Sequence, residues 1–429
     1  MSGKSELIIF EDIPPQVVVE SAAFQDLHPS SALDDNSPKI DFLINGSNTD
    51  YLDLNDTLLS ITCKVFNSDG TKIPANAVAG AVHPVPANYF MNALFKTITV
   101  KLNGNLIEGG DEYYAYKATI DNIFNFNSDA KRIQLLPAGY SDDKDERRKW
   151  IADSMELELT GALRIDFFNQ PKYLIPGVNV EISLSKCTNN FPVFIPENTP
   201  KPEDHNYKIS ITSAVLYVRR VKVHPSVLMG HSIGLKKQNA IYRYTKSKVV
   251  NLGIPQGNSS YIKENIFSKS ILPKFVVIGM VHGNAYDGSV TQDPFKFQPF
   301  QVTSVALYRN GQSLPYRRPY ITDFYSAGNK KVHDAFVRSM ICNTQMLNTN
   351  LNNGIELNDF KTGGYTLFTF NLTPDWDMNQ VQTPKDANLR LEITFSRATT
   401  HAINVICYAL YDTKLEITEA REIIGDAFI

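Results

Sequence analysis

Cysteine, tryptophan and histidine are sparse in this sequence, at four, two and eight of 429 residues. Cys63, Cys187, Cys342 and Cys407 stand singly, with no C-x-x-C pair. That suits a reducing compartment with buried free thiols and speaks against a disulfide framework. The histidines form no H-x-H or H-E-x-x-H pattern, so no catalytic metal is expected. Missing too is any run near the roughly 18 apolar residues that a membrane helix needs. The opening stretch MSGKSELIIFEDIPPQ lacks the apolar core and cleavage site of a secretory signal. No excess of one charge exists: 42 Lys+Arg against 45 Asp+Glu leave a net −3, which excludes holding a polyanion by bulk charge. Gly109-Gly110 and Gly363-Gly364 lack the lysine and hydroxyl of a phosphate-binding loop, and no G-x-S-x-G elbow occurs. Catalytic, cofactor-binding and metal-ligating residues are accordingly none, no cofactor is expected, and the chain reads as a non-enzyme.

What is present is a large supply of strands. Hydrophobic residues make up 43% and charged residues 20%, enough for packed cores, and the length suits two domains. Leu58–Phe66, Thr97–Leu102, Leu163–Phe168, Val178–Leu184 and Ile209–Val223 are short, rich in Val, Ile, Thr and aromatics, and often alternating. Turn signals such as Asn103-Gly104 and Asn310-Gly311 punctuate them, the pattern of an all-β sandwich. Helices are expected at Glu112–Phe126, Asp143–Ala152, Pro225–Lys237 and around Val332, Phe336 and Met340, each packed on a sheet. Asp50–Asp56 is rich in oxygens but lacks the glycine and terminal glutamate of a calcium loop, and it reads as the entry to a strand. His224 and His231 sit two turns apart on the connecting helix, where burial or a polar contact is expected.

The order of elements repeats. Leu59–Gly70 matches Phe275–Gly288, Thr97–Leu106 matches Val302–Leu314, Val180–Ser185 matches Leu391–Ser396, and Ala214–Tyr217 matches Tyr408–Tyr411. Four matches in one order imply a duplicated β-domain, far longer than a solenoid unit. With a helix-bearing insertion after each Asn-Gly hairpin, the pattern suggests an all-β double jelly roll with a few short helices. The expected organisation is an N-terminal arm over 1–15, a first jelly roll over 16–222, a connecting helix over 223–240, a second jelly roll over 241–417 and a tail over 418–429.

Ordered motifs carry a family resemblance. They are Val19-Glu-Ser21, His28-Pro29, Ile40-Asp-Phe42, Gly46 and Asp50-Tyr-Leu-Asp-Leu54, then Asp166-Phe-Phe-Asn-Gln-Pro-Lys-Tyr-Leu-Ile-Pro-Gly177. After these come Ala214–Val223, His224-Pro-Ser-Val-Leu-Met229, Ile254-Pro-Gln-Gly257, Tyr286-Asp-Gly288, Asp293-Pro-Phe-Lys-Phe-Gln298 and Val305–Gln312. On these the chain resembles the major capsid proteins of Polinton/Maverick elements and adintoviruses, relatives of virophage and adenovirus-like capsid proteins. Phe24 stands where a tryptophan is expected in many relatives.

The resemblance implies a homotrimer of pseudo-hexagonal outline that tiles an icosahedral shell of a double-stranded DNA virus or virus-like transposon. Neighbouring capsomers, with penton and minor capsid proteins, would be its partners. It would be made in the host cytoplasm and reside in the virion. Stable trimer interfaces should bury well over about 2,000 Å², with the insertions Glu112–Asn127 and Tyr316–Thr344 as natural suppliers. Neither end is a basic arm, so no sequence-specific nucleic-acid binding is expected. Ile8–Val19, held extended by Pro14-Pro15, and the apolar tail Glu416–Ile429 are read as assembly arms. The alternative from the residues alone is a tandem β-sandwich that binds carbohydrate or a receptor.

Overall fold

The computed structural model describes residues 16–35, 37–75, 83–110, 112–196, 206–267, 271–315, 317–325, 330–343 and 353–425, the last three residues of 330–343 and residue 330 as backbone only. The arm over 1–15, the tail's last four residues and the Cys342 side chain lie outside them. Cys63, Cys187 and Cys407 are free thiols.

Ten strands make up the first half: β1 (Val19–Leu27), β2 (Lys39–Ile44), β3 (Asp50–Asn67), β4 (Val85–Pro86), β5 (Phe95–Leu102), β6 (Asn105–Glu108), β7 (Leu157–Ala162), β8 (Val180–Lys186), β9 (Val193–Phe194) and β10 (Tyr207–Val223). Setting aside the two-residue pair β4 and β9, they form two antiparallel sheets, β1-β10-β3-β7 and β2-β8-β5-β6. Apart from the β5–β6 hairpin, consecutive strands of these sheets thus alternate between facing sheets, which is jelly-roll connectivity.

Strands β11 (Ala240–Ile254), β12 (Ser260–Lys263), β13 (Phe275–His282), β14 (Val302–Arg309), β15 (Gln312–Leu314), β16 (Tyr320–Ile321), β17 (Leu367–Asn371), β18 (Leu389–Phe395), β19 (Ile403–Ile417) and β20 (Ile423–Gly425) repeat the plan. Their sheets run β11-β19-β13-β17 and β12-β18-β14-β15, with β16 on β14 and β20 on β19. All four sequence matches fall on equivalent strands: β3 with β13, the β5–β6 hairpin with β14–β15, β8 with β18, and β10 with β19. Both hairpins turn through Asn-Gly pairs at positive φ, 47° and 80° at Asn103-Gly104, 49° and 82° at Asn310-Gly311, as a two-residue turn between twisted strands requires.

Alternation explains most strands. In β3, Leu59, Ile61, Cys63 and Val65 point into the first core while neighbours face outward. β13 is different: Phe275–Val281 is buried at every residue. Its sheet is covered on both faces, by its own partner sheet and by material from the first half, so a continuous apolar run replaces alternation.

Seven helices sit among the described loops: α1 (Phe90–Ala93), α2 (Tyr114–Asn125), α3 (Ser128–Gln134), α4 (Lys144–Trp150), α5 (Pro225–Leu235), α6 (Gly283–Tyr286) and α7 (Lys330–Asn343). Two expectations are corrected here. The 112–127 insertion is no free supplier of contacts between subunits, because α2 is buried from Tyr114 to Ile123 against β5, β11 and β19. Conversely, α5 is no core helix: none of its residues is buried, and only Val227, Leu228 and Leu235 pack, partly buried, against the first core. The described part of the tail turns back on its own chain, β20 pairing Ile423 with Ile417 and Gly425 with Leu415.

The two jelly rolls stand side by side with like ends together. At one end, called the base, Arg421 after β19 donates from Nε to the Pro176 carbonyl (2.6 Å) and its own carbonyl accepts from Asn103 Nδ2 (3.0 Å). Lys172 Nζ there donates to the Ile241 carbonyl at the start of β11 (2.7 Å). Away from it, the loops after β8 and β13 meet, with the Ile195 amide donating to the Val290 carbonyl (2.7 Å). A barrel pair held parallel in this way presents two similar lateral walls.

Candidate assembly surfaces

The junction between the rolls is built around α2. Its apolar line, Tyr116, Ile120 and Ile123, joins the second core, and Tyr116 stacks on Tyr286 at 5.7 Å while meeting Phe191 and Phe295 edge-on. Beside this line a buried charge cluster closes the seam. Lys117 Nζ lies 2.5 Å from Glu108 Oε1 and 2.9 Å from Asp166 Oδ1, and donates to the Arg164 carbonyl at 2.7 Å. Asp166 Oδ2 in turn accepts from both the amide (2.7 Å) and hydroxyl (2.8 Å) of Ser247 on β11. Asp121, one turn beyond Lys117, accepts from the Tyr408 hydroxyl on β19 at 2.5 Å. Each half of the chain therefore satisfies buried polar groups of the other.

Sequence reading missed this cluster. A signal existed: Lys117 and Asp121 are four apart beside an apolar stripe, a spacing that puts both on one helix face. Nothing local shows that this face meets another domain.

Burial and the neighbouring Asp166 charge push the Glu108 carboxyl up to about 7, against the pull of Lys117. Burial likewise raises Asp121 to about 6. Burial disfavours the Lys117 ammonium, but Asp166, Glu108 and Asp121 outweigh it and raise its pKa. The sign follows from linkage: between about pH 4.5, the ordinary value for Glu, and about pH 7, the folded chain holds a proton that the unfolded chain has released. Stability should fall as pH rises through that window, and the lysine's contribution is lost only in strong alkali. We expect the thermal midpoint of the wild type to drop from pH 5 to pH 7.5, and Glu108→Gln to flatten the slope. An unchanged slope in the variant would show that this carboxyl does not titrate there.

Outside the junction, two apolar features stand out among the described residues. The edge strand β1 is exposed along nearly its whole length, with Phe24 55% exposed; thus the residue at the tryptophan position faces outward. A long, weakly charged open edge is an aggregation hazard in a lone protein unless something covers it. At the base, Val17, Val18, Met229, Ile233, Ile241 and Ile424 are exposed large apolar side chains, gathered where β1 begins, α5 links the rolls and β20 ends.

Asp50–Asp56, the arginines near the sheet edges, His224 and His231 have internal partners. Asp50–Asp56 is the entry of β3, and Asp53 and Asp56 both bind Arg219, at 3.0 and 2.6 Å. Arg220 donates to Gln25 and to the Asn45 carbonyl, and Arg318 pairs with Asp334. His231 meets the Tyr51 hydroxyl at 2.6 Å, the polar contact expected of it, while His224 caps α5 by accepting the Ser226 amide. The His282 and His401 rings lie tilted with centroids 4.7 Å apart, and burial followed by His401 lowers the His282 pKa. Among the described residues no group of three His, Cys, Asp or Glu could hold a metal. No described helix is long and apolar enough to cross a membrane.

Two eight-stranded jelly rolls fused in parallel define a double-jelly-roll protein. Comparison with solved structures agrees over the full length. A chain in the 3.5 Å cryo-EM structure of the Sputnik virophage matches with TM-score 0.62 and 11% identity, covering 100% of this chain and 93% of that one. The mavirus major capsid protein matches with TM-score 0.58 and 11% identity, over 97% and 92%. A quasi-atomic model of the PBCV-1 capsid gives 0.59 and 12%, over 98% and 99%. At such identity the likeness is one of fold. No protein-family model matches the sequence. Among curated proteins, "Uncharacterized protein F54H12.2" of Caenorhabditis elegans is 24% identical over 400 residues, covering 91% of this chain and 93% of its own length.

Proposed function

We propose that this chain is a non-enzymatic major capsid protein of a double-stranded DNA virus or virus-like transposon, of the Polinton/Maverick–adintovirus kind, and that it resides in the virion. The observation that carries the reading is the parallel, joined pair of jelly rolls, like the virophage and mavirus chains along its whole length. Three such pairs around one axis give six similar walls, so a trimer can occupy a pseudo-hexagonal position in a flat facet. The open edge β1 with Phe24 supports the same reading, since packing between chains would cover it. A relative of nearly full length in a nematode supports a gene carried in an animal genome. Neighbouring capsomers, penton and minor capsid proteins complete the shell in this reading. The 1–15 segment serves as its arm, and residues 16–222 and 241–417 are the two rolls.

Light scattering after size exclusion, with negative-stain images of the same peak, tests the proposal. The expected species has three chain masses and a hexagonal outline. A monomer over a wide concentration range would overturn it.

A further inference from the structure

The base of the second jelly roll carries a groove of about 340 Å³ walled by Pro273, Pro315, Pro374, Pro384, Trp376 and Tyr411. Prolines and aromatics in one concavity make the kind of surface that accepts an extended, proline-bearing segment. Trp376 is 40% exposed and holds a φ of 62°, a left-handed conformation that bulky side chains rarely adopt. Such positions persist mainly at clamps and binding sites. Arg309 and Lys385 also line the groove. Lys274 beneath them is already engaged, with Asp412 at 2.7 Å and Thr245 at 2.8 Å.

The chain supplies a complementary segment. Glu11-Asp12-Ile13-Pro14-Pro15-Gln16 joins two carboxylates to a Pro-Pro pair that favours the polyproline conformation. Gln16 accepts the Val19 amide through Oε1 at 2.8 Å, which pins the exit of this segment to the start of β1. By jelly-roll connectivity β1 starts at the base, the same end as the groove. From that pin the five residues back to Glu11 reach about 15 Å at about 3.1 Å each, so the receiving groove belongs to a copy packed directly beside the start of β1.

We propose that this groove receives the Glu11–Pro15 segment of a neighbouring copy, with Ile13-Pro14-Pro15 against Trp376 and Tyr411, and Glu11 and Asp12 facing Arg309 and Lys385. The inference rests on the shell reading, and it names the surface that one capsomer offers another.

The test uses full-length protein carrying Pro14→Gly and Pro15→Gly, so that its own segment competes less, and a fluorescent peptide of residues 1–16. Anisotropy should show saturable binding, weakened at least about tenfold by Trp376→Ala or by Lys385→Glu. A peptide with Glu11→Lys and Asp12→Lys should regain affinity for the Lys385→Glu protein. The double-glycine protein itself should still form trimers but fail to build shells. No peptide binding, or binding indifferent to both groove substitutions, would overturn the groove. Normal shells from the double-glycine protein would overturn the link between copies. Absence of trimers in the wild type would instead sink the capsid reading, so the two failures are separable.

Discussion

Replacing Lys117 by methionine is expected to lower the free energy of unfolding by about 3–5 kcal/mol at neutral pH, the usual penalty for breaking a buried ion pair from one side. Methionine keeps the length and much of the packing of the lysine stem. What it removes is the ammonium that contacts Glu108 and Asp166 and lies one turn from Asp121. Three carboxyl groups would then share a dry seam in which Arg164, near Asp121, is the cation left. Solvent cannot screen them, since the side chains of Lys117 and Asp166 are only 9% and 7% exposed. Chemical denaturation of wild type and variant in parallel provides the check. The deficit should shrink at pH 5, because Glu108 and Asp121 can take up protons there. Equal deficits at pH 5 and pH 7.5 would mean that poorer packing, and not uncompensated charge, is responsible. Adding Glu108→Gln to the variant should recover part of the loss at neutral pH, as removing one of the stranded charges predicts.

The second large effect is expected at Phe360. Its ring is fully buried and meets Phe336 at 5.7 Å, Phe368 at 5.8 Å and Phe324 at 5.9 Å. Phe336 belongs to α7 and Phe368 to β17, so one side chain ties the long insertion of the second roll to its sheet. Phe360→Ala should cost about 3–5 kcal/mol, the range for emptying a packed phenylalanine site. That figure already includes the edge-to-face attraction between this ring and those of Phe336 and Phe368. Thermal denaturation should show the loss directly, and limited proteolysis should cut the 317–343 region earlier than in the wild type. If stability falls by less than about 1 kcal/mol, the neighbouring rings have collapsed into the space. The ring is then filler and not an anchor. Phe360→Leu, which keeps most of the volume, should recover much of the stability.

The duplication was legible because it lives in local patterns. β-branched runs, the Asn-Gly turns at 103–104 and 310–311, and their common order are set by short-range sterics and alternation. Those features place the equivalent strands of the two rolls without any knowledge of how the rolls meet. Helix positions were legible for the same reason, since 3.6-residue periodicity is local.

What each helix packs against was not. The helix over 112–126 reads as packed on some sheet, but its Tyr113, Tyr116, Ile120 and Phe124 join the core of the other roll while α2 also touches β5 of its own. The sequence of α5 is apolar enough to suggest burial, yet no residue in it is buried. Phe24 could be core or surface by its type alone. Only the closed sheet order decided that its strand is an open edge.

By itself, then, the sequence determined the all-β class, the twofold repeat and the turn chemistry, because these follow from neighbours within a few residues. The tertiary structure alone decided that the rolls stand parallel, that Lys117 pairs with Glu108 and Asp166, and that the base gathers exposed apolar side chains around the chain's exit. Those depend on contacts tens to hundreds of residues apart, where local propensity carries no information and only the mutual burial of the two cores selects the arrangement.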